Sequence, residues 1–460
     1  MERQRESAPS PTAAPAAAGH GAASDLRPEI AGRLAQIARG DSASLVQLLQ
    51  QYPRDAQQIL IAAASQLGNA TVQAAIASQT AHVDAPAGVA AEPGPLPIQR
   101  DKKDKDVAAL SPAQRADYDA IMAGRETSSH PIDPAEALER AKSGRPLTED
   151  DRAAIAAVQA KMGSLHVSSI KDHNPNQVQI EISFDGTWND RDEMAFQTNP
   201  ALINEQFDGP AENKIYEVGV GTSAASKVLG GAAGLGMHDR IKSAYTSLVA
   251  RINSIKAANP AAKVVLVVSG FSRGAATARA FINELNRLGV PDLGSERPDG
   301  SYAQNFEAPR IGVMILFDTV GSVGLAGDDR NRNLDGSKLD LSIPANAENV
   351  LHLTARDEKR QAFPLSSAVD PAHDDPRISE LSLPGSHSDI GGGYPNAYSK
   401  VSLQLAREYM ERAGVDMKPS DEGPVTADDP TMRLHESRSG LEQALEGKDH
   451  KRTEFPSHNP

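Results

Sequence analysis

Val264-Val265-Leu266-Val267-Val268-Ser269-Gly270-Phe271-Ser272-Arg273-Gly274-Ala275-Ala276 decides how this chain is read. Five consecutive apolar residues, four of them valine, predict a strand buried on both faces. An alanine-rich stretch follows at once and predicts a helix from Ala275 to Leu288. Between them, Gly270-Phe271-Ser272-Arg273-Gly274 has the Gly-x-Ser-x-Gly spacing of a sharp strand-to-helix turn. Side chains at 270 and 274 would collide with the neighbouring strand and helix, so both positions require glycine. Ser272 would then be held strained and accessible at a helix N-terminus, where backbone N–H groups can stabilise a developing oxyanion. The competing explanation is chance in a glycine-rich chain, and the flanking strand and helix weigh against it.

On either side of this turn, strands and helices alternate. Val178, Ile180 and Ile182 alternate with polar residues and run into Phe184-Asp185-Gly186-Thr187, a strand leading into a loop. Further strands are expected at Ile215 to Val220, Ile311 to Phe317, Val350 to Ala355 and Ile378 to Leu383, with a helix over Asp239 to Ala258. This order predicts an α/β-hydrolase type of fold: a mostly parallel sheet over 175–418 with helices on both faces. Its chemistry should lie at the carboxyl ends of the strands.

The rest of the sequence is organised differently. Residues 1–24 are Ala, Pro, Ser and Gly and read as a disordered leader. A small helical module is expected over 25–82, a linker over 83–108 and short helices over 109–163. Thr148 and Asp151 form a plausible capping box within the last of these. Residues 419–460 read as a polar tail wrapping the surface.

Composition narrows the function. The chain of 460 residues has no cysteine, which excludes disulfides, thiolate metal sites and a cysteine nucleophile. Its net charge of −14, with no block rich in Lys and Arg, argues against nucleic acid as a partner. No apolar run is long enough to span a membrane, and the N-terminus lacks a signal-peptide pattern. Gly230, Gly231, Gly234 and Gly236 lack the Gly-Lys-Ser/Thr of a phosphate loop. No cofactor and no metal are implied.

A serine nucleophile needs a base, and the base needs an orienting acid. In this fold the chain order is serine, acid, histidine. Asp318 ends the clean apolar run Ile311 to Phe317 and is preferred as the acid over Asp357. Of the histidines after Ser272, His450 and His458 lie in the polar tail, His373 in an acidic loop and His435 in a charged stretch. His352 sits within a strand, where a satisfied core histidine is the usual case. His387 follows the last strand on a loop and is the candidate base. Backbone N–H groups at Arg273 and Gly186 are the expected oxyanion donors. Ser183 stands where a haloacid-dehalogenase phosphatase needs its nucleophilic aspartate, which excludes that reading. Asp389, beside His387 with no second histidine at ligand spacing, is expected to fix its loop.

These residues, in order, carry a resemblance. The pieces are Phe184-Asp185-Gly186-Thr187-Trp188, Gly219-Val220-Gly221-Thr222, Gly270 to Ala275, Phe317 to Gly324, Asp357-Glu358-Lys359-Arg360 with Phe363, and His387 to Tyr394. From about Glu181 to Tyr398 the sequence resembles the α/β-hydrolase domain of bacterial type VI secretion lipase effectors, the type 1 lipase group. The resemblance implies a triad of Ser272, Asp318 and His387. It further implies release of a fatty acyl chain from a glycerophospholipid in a rival cell's membrane. A secretion-machine component and a cognate immunity protein would be partners, and a contractile injection system would export the chain. A non-lipolytic esterase or thioesterase, or a hydrolase-fold binding protein without activity, are the alternatives.

Overall fold

The computed structural model describes parts of 28–48 and of 109–122, most of 144–437, and residues 452, 454 and 455. Within 144–437 the larger undescribed stretches are 221–235 and 322–338. The expected leader, the linker, most of the helical module and Trp188 therefore lie outside the described residues, as do Gly230, Gly231 and Gly234.

The chain divides into two units, Met1–Glu92 and Pro93–Pro460. In the first, a short helix Pro28–Leu34 is described, with Ile30, Leu34 and Leu45 buried.

The second unit is built on six strands: β1 Gln177–Phe184, β2 Lys214–Glu217, β3 Lys263–Phe271, β4 Arg310–Phe317, β5 Ala347–Ala355 and β6 Ile378–Leu383. They form one sheet in the order β6-β5-β4-β3-β1-β2, and every pairing in it is parallel. All six strands fall where the sequence pattern puts them. β2 stops at Glu217, short of the expected Val220.

The valine run explains itself in three dimensions. Successive side chains on a strand point to opposite faces. Val264, Leu266 and Val268 enter one core with helix α3 (Met237–Ala258) and helix α4 (Arg273–Leu288), while Val265 and Val267 enter the other. That second core includes Ile155 of helix α1 (Glu149–Met162), Ile203 of helix α2 (Asn199–Gln206) and much of helix α6 (Ser399–Ala413). Fully burying each such valine stabilises the fold by roughly 1.5–3 kcal/mol relative to exposure. A central strand with helices on both sides has no polar face to show.

Thr148 and Asp151 do cap α1: Asp151 N–H donates to Thr148 Oγ1 at 3.2 Å and Thr148 N–H to Asp151 Oδ2 at 2.9 Å.

The strand order reverses direction between β1 and β3. The chain goes from β1 outward to β2, then crosses back and builds β3, β4, β5 and β6 on the other side. Such a switch point leaves a crevice at the carboxyl ends of the two strands. Phe184 ends one and Phe271 the other, so Asp185 and Ser272 open onto the same place.

Candidate active site

The turn after β3 has the geometry its glycines predict. A Cβ on Gly274 would lie 2.3 Å from the carbonyl oxygens of Phe184 and Asp185, so α4 can start this close to β1 only without one. A Cβ on Gly270 would lie 2.7 Å from the backbone of Ala275. Ser272 is forced to φ 60° and ψ −126°. Among the described residues only two non-glycines have positive φ, Ser272 and Asp318, the latter at 43°. Each such residue costs of order 1–3 kcal/mol, and such strain concentrates at functional sites.

Hydrogen bonds lock the strained pair together. Ser272 N–H donates to the Phe317 carbonyl at 2.9 Å, and Val320 N–H donates to the Ser272 carbonyl at 3.2 Å. Asp318 N–H donates across to Leu353 on β5 at 2.8 Å. Ser272 and Asp318 thus lie at the ends of adjacent strands.

His387 is bonded to the acid. Its Nδ1 lies 2.5 Å from Asp318 Oδ2, with both side chains buried. Burial alone would raise the Asp318 carboxyl, but Arg452 and His387 hold it well below its ordinary value. An ionised carboxylate only accepts, so the Nδ1 proton belongs to His387 and Nε2 carries the lone pair of a base. The ring packs between two phenylalanines, Phe271 at 4.6 Å and Phe363 at 4.9 Å between centroids, the latter edge-on. Burial lowers the His387 pKa despite the pull of Asp318.

His387 is not on a loop, as expected, but is the first residue of a short helix, α5 (His387–Gly391). The loop reading missed a capping box: Asp389 Oδ2 accepts from Ser386 N–H at 2.9 Å. Asp389 also accepts from His435 Nδ1 at 2.7 Å, so it does fix the segment, with a partner the sequence did not suggest. Asp357, the rival acid, turns instead to Arg356 and to Gly385 N–H. His352 is a core histidine, 2.8 Å from Glu380 through Nδ1 and accepting from Thr319 N–H at 3.1 Å.

The assignment of Gly186 as an oxyanion donor needs correction. Its N–H already donates to Asp185 Oδ1 at 2.6 Å, because the buried Asp185 carboxylate has turned back on its own loop. Tyr216 and Thr198 hydroxyls fill the rest of that carboxylate, while burial pushes its pKa up to about 6. Arg273 is the first residue of α4, and its guanidinium donates to Thr187 Oγ1 at 2.9 Å.

Three neighbours of the site had no role assigned from sequence. Glu358 accepts from His387 N–H at 3.2 Å and pairs with Arg360 at 2.8 Å. The Arg360 guanidinium lies 3.6 Å over the Phe363 ring, and that of Arg273 5.5 Å from it. This explains why Glu358, Arg360 and Phe363 belong to one motif. The third, Arg452, lies in the polar stretch after 418 and bonds Asp318 directly. One arginine beside Lys451 in a charged stretch carried no signal of this.

The family described as type VI secretion system phospholipase effector Tle1-like, catalytic domain, matches residues 179–309 and 295–412, together just over half the chain. The chain belongs to this Tle1-like family. Its α/β-hydrolase fold carries the Tle1-like domain on the six strands and α2 to α6. No curated protein matches the chain. Among solved structures, an uncharacterized protein from Pseudomonas aeruginosa is 21% identical with a TM-score of 0.35, covering 58% of this chain and 48% of its own. The Tle1 effector bound to the VgrG spike is 22% identical with a TM-score of 0.32, covering 50% and 53%. Esterase 2 of Thermogutta terrifontis is 16% identical with a TM-score of 0.28, covering 55% and 91%. The chain thus spans about half the length of the first two.

Proposed function

We propose that this Tle1-like chain is a serine ester hydrolase that releases acyl chains from glycerophospholipids. Ser272 is the nucleophile, His387 the general base and Asp318 its orienting acid. His387 Nε2 takes the hydroxyl proton as Ser272 Oγ attacks the ester carbonyl. Asp318 stabilises the imidazolium, and the Arg273 N–H donates to the oxyanion. His387 then returns the proton to the leaving alcohol, and water releases the acyl-enzyme by the same path in reverse. The observation that carries this reading is the 2.5 Å Asp318–His387 bond beside the strained serine. Family membership supports a phospholipid substrate and export by a type VI machine as an antibacterial effector. A spike protein such as VgrG and a neutralising immunity protein are the partners this implies.

The test is fatty-acid release from vesicles of phosphatidylethanolamine and phosphatidylglycerol. The wild-type chain should release acid, and Ser272→Ala none, with an unchanged circular dichroism spectrum. Full release by Ser272→Ala would remove the serine mechanism. Cleavage of soluble esters with intact vesicles would remove the lipid substrate.

A further inference from the structure

Arg452 grips the acid of the proposed triad with both ends of its fork. Nη1 donates to Asp318 Oδ1 at 2.7 Å and Nη2 to Oδ2 at 2.9 Å, the bidentate arrangement guanidinium makes best. Nε donates to the Phe363 carbonyl at 2.6 Å, and the side chain is only 6% exposed. The chain beside it is tied down as well. Glu454–Phe455 pairs in parallel with Leu365–Ser366, and Ser366 N–H donates to the Thr319 carbonyl at 2.9 Å, one residue past Asp318.

We infer that Arg452 is a positioning residue of the triad. It fixes the Asp318 carboxylate with Oδ2 toward His387 and shares its negative charge, so that His387 stays a neutral base to lower pH. This rests on the triad reading given above.

The acceptor count makes the case for position. A carboxylate offers about four lone-pair sites. Oδ1 of Asp318 receives Ala355 N–H at 2.8 Å and one arm of Arg452, and Oδ2 receives His387 and the other arm. All are filled, so the group cannot turn away from the imidazole. Without Arg452 the fully buried charge would face only one backbone N–H and a resting imidazole that is neutral.

Charge balance makes the case for pH. Among the described residues, the charged groups around His387 are Asp318 at Nδ1, Glu358 at its N–H, Arg360 paired to Glu358, and Arg273 across the Phe363 ring. Asp389, on the same helix, is bonded to His435. Arg360 grips Glu358 with two nitrogens, so those charges offset each other. The balance at the base is then set by the Asp318–Arg452 pair. A carboxylate stabilises imidazolium, and a guanidinium on that same carboxylate opposes it.

The experiment compares pH profiles of kcat/KM for a soluble p-nitrophenyl ester, using the full chain with Arg452→Gln and Arg452→Lys. Arg452→Gln should lose about tenfold or more. Its acidic limb should move up by about one pH unit. Arg452→Lys keeps the charge but not the fork, so its rate should fall with the limb in place. An unmoved limb in Arg452→Gln overturns the proposal, whatever its rate. If Arg452→Gln does not fold, Arg452→Lys decides, and an upward shift of its limb overturns the proposal. Hydrolysis that survives Ser272→Ala would overturn the triad itself, a result separate from an unmoved limb in an enzyme that Ser272→Ala silences.

Discussion

His435 Nδ1 and Asp389 Oδ1 lie 2.7 Å apart, and neither side chain is more than 2% exposed. Asp389 is two residues past the proposed base, on a helix of five residues. A helix so short has no stability of its own and depends on its contacts. The other Asp389 oxygen accepts from the N–H groups of both Ser386 and His435, and the Tyr394 ring stacks on His435 at 3.9 Å. His435→Ala removes the partner of a buried acid, at a cost of about 1–3 kcal/mol. Denaturant melts should show that loss, and ester hydrolysis should fall several-fold while the variant is still folded, because His387 loses its mount. An unchanged midpoint and rate would refute the role.

Glu181 is sealed beneath the nucleophile turn. Ser183 Oγ lies within 2.9 Å of the Pro200 carbonyl, 2.7 Å of Ser269 Oγ and 2.5 Å of Glu181 Oε1. Ser183 has one proton, and a carbonyl only accepts. If that proton goes to Pro200, Glu181 must supply the one between it and Ser183. Burial pushes the Glu181 pKa up to about 8, against hydrogen bonds from Ser183, Asn204 and Ser269. Between its ordinary value of 4.5 and about 8 the folded state holds a proton that the unfolded chain has released. Stability from this group is therefore complete in acid and lost as pH rises toward 8. Glu181→Gln should flatten that slope and exceed the wild-type melting temperature above pH 8. Parallel slopes for the two proteins would count against a protonated Glu181.

The fold was legible because its signals are local. The valine run, the capping box at Thr148 and the glycines at 270 and 274 each follow from neighbouring residues, and Asp318 and His387 from chain order at strand ends. What stayed hidden depends on distant pairing. Arg452 and His435 reach Asp318 and Asp389 across 134 and 46 positions, and nothing in their own neighbourhoods marks them. Gly186 failed for a related reason: an aspartate beside a glycine turn can take the N–H itself, and composition cannot say which acceptor wins.

Ser272 pays in stability for its position. At φ 60° and ψ −126° a serine is strained and a glycine is not. Ser272→Gly should abolish hydrolysis while stabilising the fold by about 1–3 kcal/mol. Ser272→Ala should abolish it with little gain, since alanine keeps the Cβ. Thermal melts of the three proteins at one pH check this. Equal melting temperatures for the glycine and alanine variants would mean that the backbone relaxes when the hydroxyl is gone.

The acid limb of activity reports on one group. His387 must be neutral to accept the Ser272 proton, and burial places its pKa below the ordinary 6.5. Glu358 does not titrate in that range: burial would raise it, but the Arg360 guanidinium brings it down to about 2. Asp318 lies well below its ordinary value for the reasons given above. From neutral pH down to about 4 His387 is the only member of the proposed triad that takes up a proton, and Asp185, which titrates at about 6, has no place in the proton path, so log kcat/KM should fall with a slope of one and a midpoint under 6.5. Stability moves the same way. An imidazole buried neutral binds its proton more readily in the unfolded chain, so its contribution is full above 6.5 and is lost as pH falls below it. Circular dichroism at each pH separates the two effects. A slope of two in protein that is still folded would mean that a second group, with Asp185 at about 6 the first candidate, controls the rate together with His387 and that the isolated-base picture is wrong.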